Sequence, residues 1–400
     1  MPAAIIPIVD HIALMEPDPI RPSRWLSITR SPVVRSPKPA NNRGAVAGPG
    51  RPGGREVAMR PFAWLFVLIT VSAVGMAAQS AAPAAPPTTL PTPTDVKAGS
   101  ITCDECPYPY PSSYLPFTTY GQEVRLAYMD VPPMGTPNGH TVVLFHGMNF
   151  AGFYWGGPID ALRKEGFRVV VPDQIGFGRS SKPVIPYNFH DMAANTRRVL
   201  QQLKIERVMI VGHSMGGMLA ARFATQYPEM TERVVIYNPI GVTDPRWERP
   251  WTSTDDGYKR NLEATYQTVR AALFRYVSHK PAAWNAEFER YARIRYSWTL
   301  SSEWARLAMV QAIISQITYL DPVVDDWAHI KAPTLAFGGA EDSLAGPAKV
   351  FQDRMKFIAE SVPNAQGRLH LLPGLGHVPH LEDPARTYPP LVAFLKEGVR

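Results

Sequence analysis

Gly212-His213-Ser214-Met215-Gly216 follows the apolar run Val208-Met209-Ile210-Val211 and precedes the small-residue helical pattern Met218-Leu219-Ala220-Ala221. The order is strand, sharp turn, helix, with a serine at the turn, which is the G-x-S-x-G pattern of a nucleophile elbow. Glycine is required on both flanks because a Cβ there would strike the neighbouring strand or helix. The serine is held in a strained backbone geometry with its hydroxyl free, and the following helix points its N-terminus at any negative charge that develops there.

An elbow alone is a modest signal, so the weight falls on whether an acid and then a histidine follow it in the chain. Pro333-Thr334-Leu335-Ala336-Phe337-Gly338-Gly339 reads as a short buried strand with Ala340-Glu341-Asp342 as its exit loop, and His370-Leu371-Leu372-Pro373 ends another strand ahead of Gly374-Leu375-Gly376-His377. Each polar residue lies just past the C-terminal end of a strand, and in an open parallel sheet those ends share the ligand-binding edge. The expected triad is Ser214, Asp342 and His377. Glu341 is the rival acid and His380 the rival base.

Upstream, Thr141-Val142-Val143-Leu144-Phe145 reads as a strand entering His146-Gly147-Met148-Asn149. One N–H of this loop and the N–H after the nucleophile would form an oxyanion hole, assigned to the backbones of Met148 and Met215. His146 reads as a buried residue ordering the loop. Asn149 is either a loop-structuring residue or a polar contact to substrate. Phe167 to Pro172 is a further strand, and the glycines of Asp173-Gln174-Ile175-Gly176-Phe177-Gly178-Arg179-Ser180 fit neither phosphate-loop nor dinucleotide spacing, so no nucleotide is implied.

From Gly121 onward the chain resembles the α/β-hydrolase fold family. The likeness rests on His146-Gly147, Asp173 to Ser180, the Gly212 to Gly217 elbow, Gly339 to Asp342, and Gly376-His377-Val378-Pro379-His380-Leu381-Glu382-Asp383-Pro384. The resemblance implies an α/β fold with an eight-stranded, mostly parallel sheet flanked by helices, and neither a metal nor an organic cofactor. Haloalkane dehalogenases and epoxide hydrolases of this fold carry Asp where Ser214 stands. Carbon–carbon bond hydrolases often carry Trp where Val378 stands, and proline iminopeptidases Trp where Met215 stands. What remains is a carboxylic ester or lactone hydrolase. The alternatives are a carbon–carbon bond hydrolase with the same triad and a non-catalytic relative that binds a ligand or partner.

Arg233 to Pro239 reads as the next strand, yet the following one starts only at Pro333, too long a gap for a plain loop. Leu262, Tyr266, Val269 and Leu273, then Leu307, Val310, Ile313 and Ile317, recur at helical steps. A helical cap over about 245–328 is expected. Its aromatics (Trp247, Trp251, Tyr258, Tyr266, Tyr276, Trp284, Tyr291, Tyr296, Trp298, Trp304) should mostly pack it onto the core, a few lining an aromatic pocket. Its arginines (Arg270, Arg275, Arg290, Arg293, Arg295) read as mostly solvated, with one available to a substrate carboxylate.

Residues 59–82 resemble a secretory signal peptide: Met59-Arg60, then an apolar run from Trp64 to Gly75 broken only by Thr70 and Ser72, then Ala77-Ala78-Gln79-Ser80-Ala81-Ala82. The run is shorter than the ~20 residues of a spanning helix, so cleavage is expected rather than a stable membrane anchor. Residues 1–58, rich in Pro and Arg, are expected to be untranslated or disordered, with translation starting at Met59. Residues 83–100 are a Pro/Ala-rich linker, and 101–400 the catalytic domain with its cap. The expected location is periplasmic or secreted. The net charge of +7 lies mainly in the first sixty residues, whose nine Lys/Arg and four Asp/Glu give +5, so it is no ground for nucleic-acid binding. The expected partner is a small-molecule ester or lactone. The two cysteines, Cys103 and Cys106, precede Pro107-Tyr108-Pro109-Tyr110-Pro111, which forbids the helix of a redox motif. In an oxidising compartment they suit a small local disulfide.

Overall fold

A computed structural model describes residues 90–344 and 346–399. The extension over 1–58, the signal segment 59–82 and the start of the linker lie outside the described residues. Eight strands form one sheet: β1 (Ser113–Thr119), β2 (Gln122–Val131), β3 (Thr141–Phe145), β4 (Arg168–Pro172), β5 (Val208–His213), β6 (Thr231–Tyr237), β7 (Thr334–Gly339) and β8 (Gly367–Leu372). Their order is β1-β2-β4-β3-β5-β6-β7-β8. The β1/β2 and β2/β4 pairs are antiparallel and the remainder parallel. This is the α/β-hydrolase fold expected from the sequence. β1 and β2 precede the first strand that the sequence marked. They join through Tyr120 and Gly121, both at positive φ (48° and 70°), a tight hairpin turn.

Helices cover both faces, which is why β3, β5 and β7 are apolar runs buried at every position. The elements α1 (Gly156–Lys164), α2 (Phe189–Gln202) and α3 (Met215–Gln226) come before β6. Between β6 and β7 lie α4 (Thr254–Leu262), α5 (Tyr266–Phe274), α6 (Ala286–Thr299), α7 (Trp304–Ser315) and α8 (Ile317–Leu320); α9 (Ala348–Ser361), α10 (Pro379–Glu382) and α11 (Pro384–Lys396) follow β7. Alternate strand residues feed two cores. Val143, Phe145, Ile210 and Ile236 pack with Phe189, Leu219 and Phe351 from α2, α3 and α9. Val142, Leu144, Val211 and Val235 pack with Ile159 and Phe394 from α1 and α11.

The chain leaves β3 for β4 on one side and β5 on the other, so the order reverses between β3 and β5, and a crevice opens at their C-terminal ends. The elbow stands there. Ser214 adopts φ 59° and ψ −121°, a region L residues avoid and that the surrounding contacts must hold. A Cβ on Gly212 would sit 2.0 Å from the Gly216 carbonyl oxygen, and one on Gly216 would sit 2.3 Å from that of Phe145. Both obstacles are backbone and cannot swing away. Arg222 of α3 bonds Asp321 and Asp326 at 2.7 Å each, fixing the elbow helix to the chain leaving the cap.

The cap is helical as expected. Thr265 and Thr268 form a capping box on α5, and the Asn285 side chain accepts the N–H groups of Glu287 and Phe288 at the start of α6. The end of the linker lies along it: Gln267 Nε2 donates to Leu90 O (3.0 Å), Arg293 pairs with Asp95, and Gly99 N donates to Ser297 O (2.9 Å). These bonds give residues 90–99, the described end of the linker, a defined course. Cys103 and Cys106 are joined in a buried disulfide.

Candidate active site

His377 and Asp342, 35 residues apart in sequence, meet through Nδ1 and Oδ2 at 2.7 Å with both side chains buried. A buried carboxylate is costly unless its oxygens are bonded. Here Asn238 Nδ2 also donates to Oδ2 (2.9 Å) and the Leu344 N–H to Oδ1 (3.1 Å). Burial pushes the Asp342 carboxyl up, but the His377 charge and hydrogen bond, with the Leu344 and Asn238 donors, outweigh it and leave it below its usual value. It therefore stays ionised at neutral pH. Glu341 makes no bond to His377; its Oε1 accepts instead from Gly374 N (3.3 Å).

The loop carrying His377 is fixed on both sides. Glu382 accepts the N–H groups of Gly376 (3.0 Å) and Val378 (3.2 Å), which flank His377, and meets His279 of the cap at 3.2 Å. The His377 N–H donates to the Tyr276 carbonyl (3.2 Å), and the two rings lie 4.8 Å apart. His377 Nε2 is buried and has no hydrogen-bond partner among the described residues.

Ser214 lies at the head of α3, where the first N–H groups of a helix lack partners within it. Met215 is the first helical residue, so its N–H is one of these. The Met148 N–H has no protein acceptor among the described residues. The loop after β3 presses on the elbow: a Cβ on Gly147 would sit 3.0 Å from that of Ser214. His146 orders this loop, Nδ1 donating to Gly147 O (3.0 Å) and Nε2 accepting from Gln174 N (3.1 Å). The Asn149 amide donates to the Tyr276 hydroxyl, so its side chain is tied to the cap and does not stand free.

His213, the elbow residue before Ser214, joins these parts. Its Nε2 lies 2.7 Å from the His377 carbonyl, an oxygen that can only accept, so Nε2 carries the proton and Nδ1 is the acceptor. Tyr154 then donates its hydroxyl to Nδ1 (3.0 Å) and accepts the Gly147 N–H (3.0 Å). One chain of hydrogen bonds links the loop after β3, the elbow and the His377 loop. It requires a neutral His213, and burial holds that imidazole well below its usual value, with the neighbouring His377 and His380 adding to the effect.

His380, the rival base, is committed elsewhere. It stacks on Trp155 at 5.0 Å and its Nδ1 meets the Tyr237 hydroxyl at 3.0 Å. Burial, helped by His377, pulls it down to about 3. An unfolded imidazole protonates near 6.5, so between that pH and about 3 the unfolded chain holds the extra proton, and stability falls as the pH drops. His380→Gln should lower stability at pH 7 yet shallow its acid slope by about 1.4 kcal/mol per pH unit. Denaturant titrations from pH 7 to 4 measure this, and an unchanged slope would refute it.

Asn238, Tyr154 and Tyr276 were not singled out from the sequence for these roles. Only Asn238 carries a local sign: a polar residue ending the buried strand Val234-Val235-Ile236-Tyr237, here at φ 38°. Among the described residues no three His, Cys, Asp or Glu side chains are grouped to hold a metal.

A cavity of about 160 Å³ lies under the cap beside Met148 and Asn149. Ser214 is not in its wall, and Met148 is. Of the ten cap aromatics only Trp298 lines it, the rest of its apolar wall coming from residues such as Phe150, Phe177 and Leu307. Trp247 and Trp251 are 76% and 54% exposed, outside any aromatic pocket.

Residues 142–389 match the family model described as the alpha/beta hydrolase family. Uncharacterized proteins of Mycobacterium tuberculosis and Mycobacterium bovis are 39% identical over 106 residues, 26% of this chain and 31% of theirs. The chain thus spans about a third of the length of these curated relatives. A putative carbamate hydrolase, RutD, of Yersinia enterocolitica is 32% identical over 54% of this chain and 76% of its own. The crystal structure of a probable hydrolytic enzyme from Pseudomonas aeruginosa superposes with a TM-score of 0.69 and 34% identity, covering 76% of this chain and 99% of that one.

Proposed function

Since the chain belongs to the alpha/beta hydrolase family, we propose that it is a serine hydrolase that cleaves a carboxylic ester or lactone, acting outside the cytoplasm. The observation that carries this is the Asp342–His377 pair at 2.7 Å, set on the sheet edge where Ser214 is held at φ 59°. Ser214 Oγ attacks the carbonyl carbon as His377 Nε2, which has no hydrogen-bond partner among the described residues, takes its proton. Asp342 keeps the imidazole in the tautomer this needs and stabilises the imidazolium. The Met148 and Met215 N–H groups receive the oxyanion, a contribution of roughly 3–4 kcal/mol per donor in comparable sites. His377 returns the proton to the leaving alcohol, and water, activated by the same histidine, releases the acid from Ser214. The Cys103–Cys106 disulfide supports an oxidising location.

The test uses the exported protein, its N-terminus sequenced, against a panel of esters, lactones and vinylogous diketones. Turnover of esters or lactones is expected from a chain beginning near residue 83. Turnover of the diketones alone would replace the reading with carbon–carbon bond hydrolysis, and a mature chain still carrying Trp25 would overturn a start at Met59.

A further inference from the structure

Two cationic side chains line the cavity beneath the cap, and neither makes an ion pair among the described residues. Lys182, 5% exposed, donates from Nζ to the carbonyls of Gly178 (2.7 Å) and Ser180 (2.5 Å), which leaves its third N–H unassigned. Arg295 of α6 donates from Nη1 to Asn149 O at 3.3 Å, and its buried Nε has no acceptor. Both line the cavity, and among the described residues no carboxylate forms an ion pair with either. The neighbouring cap arginines differ: Arg270 pairs with Glu289, Arg290 with Glu287 and Arg293 with Asp95. A buried cation without a partner is strongly unfavourable, and folds keep one where something else supplies the charge. Burial lowers the Arg295 guanidinium, and it pulls the Lys182 ammonium down to about 7 although the Asp173 and Asp104 carboxylates push the other way.

The cavity runs from Met148, beside the elbow, to Arg295 and Gln311. A second cleft of about 380 Å³ shares Asn261, Arg295, Trp298 and Gln311 with it, so the two meet at the Arg295 side chain. We propose that this cavity is a carboxylate subsite: the substrate is an anionic ester whose free carboxylate is held by Arg295 and Lys182, while its scissile carbonyl lies beyond Met148 at Ser214. The inference rests on the hydrolase reading above and names the substrate class. It also makes Arg295 the cap arginine available to a carboxylate.

The test compares two esters of similar length, the anionic mono-p-nitrophenyl glutarate and the neutral p-nitrophenyl hexanoate, and measures glutarate binding directly by calorimetry. The wild-type chain should favour the anionic ester in kcat/KM. Arg295→Gln should cut the anionic-to-neutral ratio about 10- to 100-fold, the scale of a lost charge-assisted hydrogen bond. Arg295→Lys, which keeps the charge, should retain more of the ratio, and fluorophosphonate labelling of Ser214 reports that each variant is folded. If Arg295 served only to anchor the cap on Asn149, both esters would lose equally and the ratio would not move, overturning the subsite. Glutarate binding weakened by Arg295→Gln supports the subsite even if no ester is turned over, a result that would sink the hydrolase reading alone. Turnover of the neutral ester with no preference for the anionic one, or glutarate binding indifferent to Arg295→Gln, overturns the subsite and leaves the hydrolase reading standing.

Discussion

Ser214→Ala is expected to lower kcat on a p-nitrophenyl ester by about 10⁶-fold and to abolish fluorophosphonate labelling, on the scale seen when the nucleophile of a triad is removed. The substitution deletes one oxygen and leaves the elbow's backbone packing in place. Its φ of 59° is set by Gly212, Gly216 and the Phe145 carbonyl, none of which the change touches. The variant should therefore fold, and residual turnover should reflect only binding and the N–H groups of Met148 and Met215. Full retention of rate and labelling would remove Ser214 as nucleophile.

The second large effect separates two adjacent acids. Asp342→Asn should lower kcat by about 10⁴-fold, the loss produced when a triad aspartate becomes an amide that no longer enforces the histidine tautomer. Glu341→Gln should change it far less, since Glu341 bonds the Gly374 N–H and not His377. Parallel kcat measurements on the two folded variants decide between them, and a larger loss in Glu341→Gln would reverse the assignment. Asn238 donates to Asp342 Oδ2, so the amide of Asp342→Asn must also reorganise against a donor. Part of the loss will come from that contact.

The elbow was legible because its requirement is local. A strand, a tight turn and a helix must follow one another within a dozen residues, and only glycine fits where the backbones of Gly216 and Phe145 come within van der Waals distance. The central parallel strands were legible for a related reason: burial on both faces leaves continuous apolar runs. β1 and β2 were not marked, because an antiparallel edge with one solvated face gives the weaker mixed pattern of Ser113–Thr119. Asn238, Tyr154 and Tyr276 gave little local sign of their roles, since each acts on a residue brought to it by the fold from across the sheet or from the cap.

The sequence by itself determined the serine at the turn, the order in which an acid and a histidine follow it and the presence of a helical cap, which depend on periodicity and spacing along the chain, while the fold class came from its resemblance to a known family. Only the tertiary structure decided which acid meets His377, that His213 bridges the elbow to the His377 loop, and that Arg295, unlike its neighbours on α6, has no anionic partner among the described residues. These are facts of long-range approach. A charge that is paired on one turn of a helix is half-buried and without an ion pair on the next, and the difference arises only when the cap closes over the sheet.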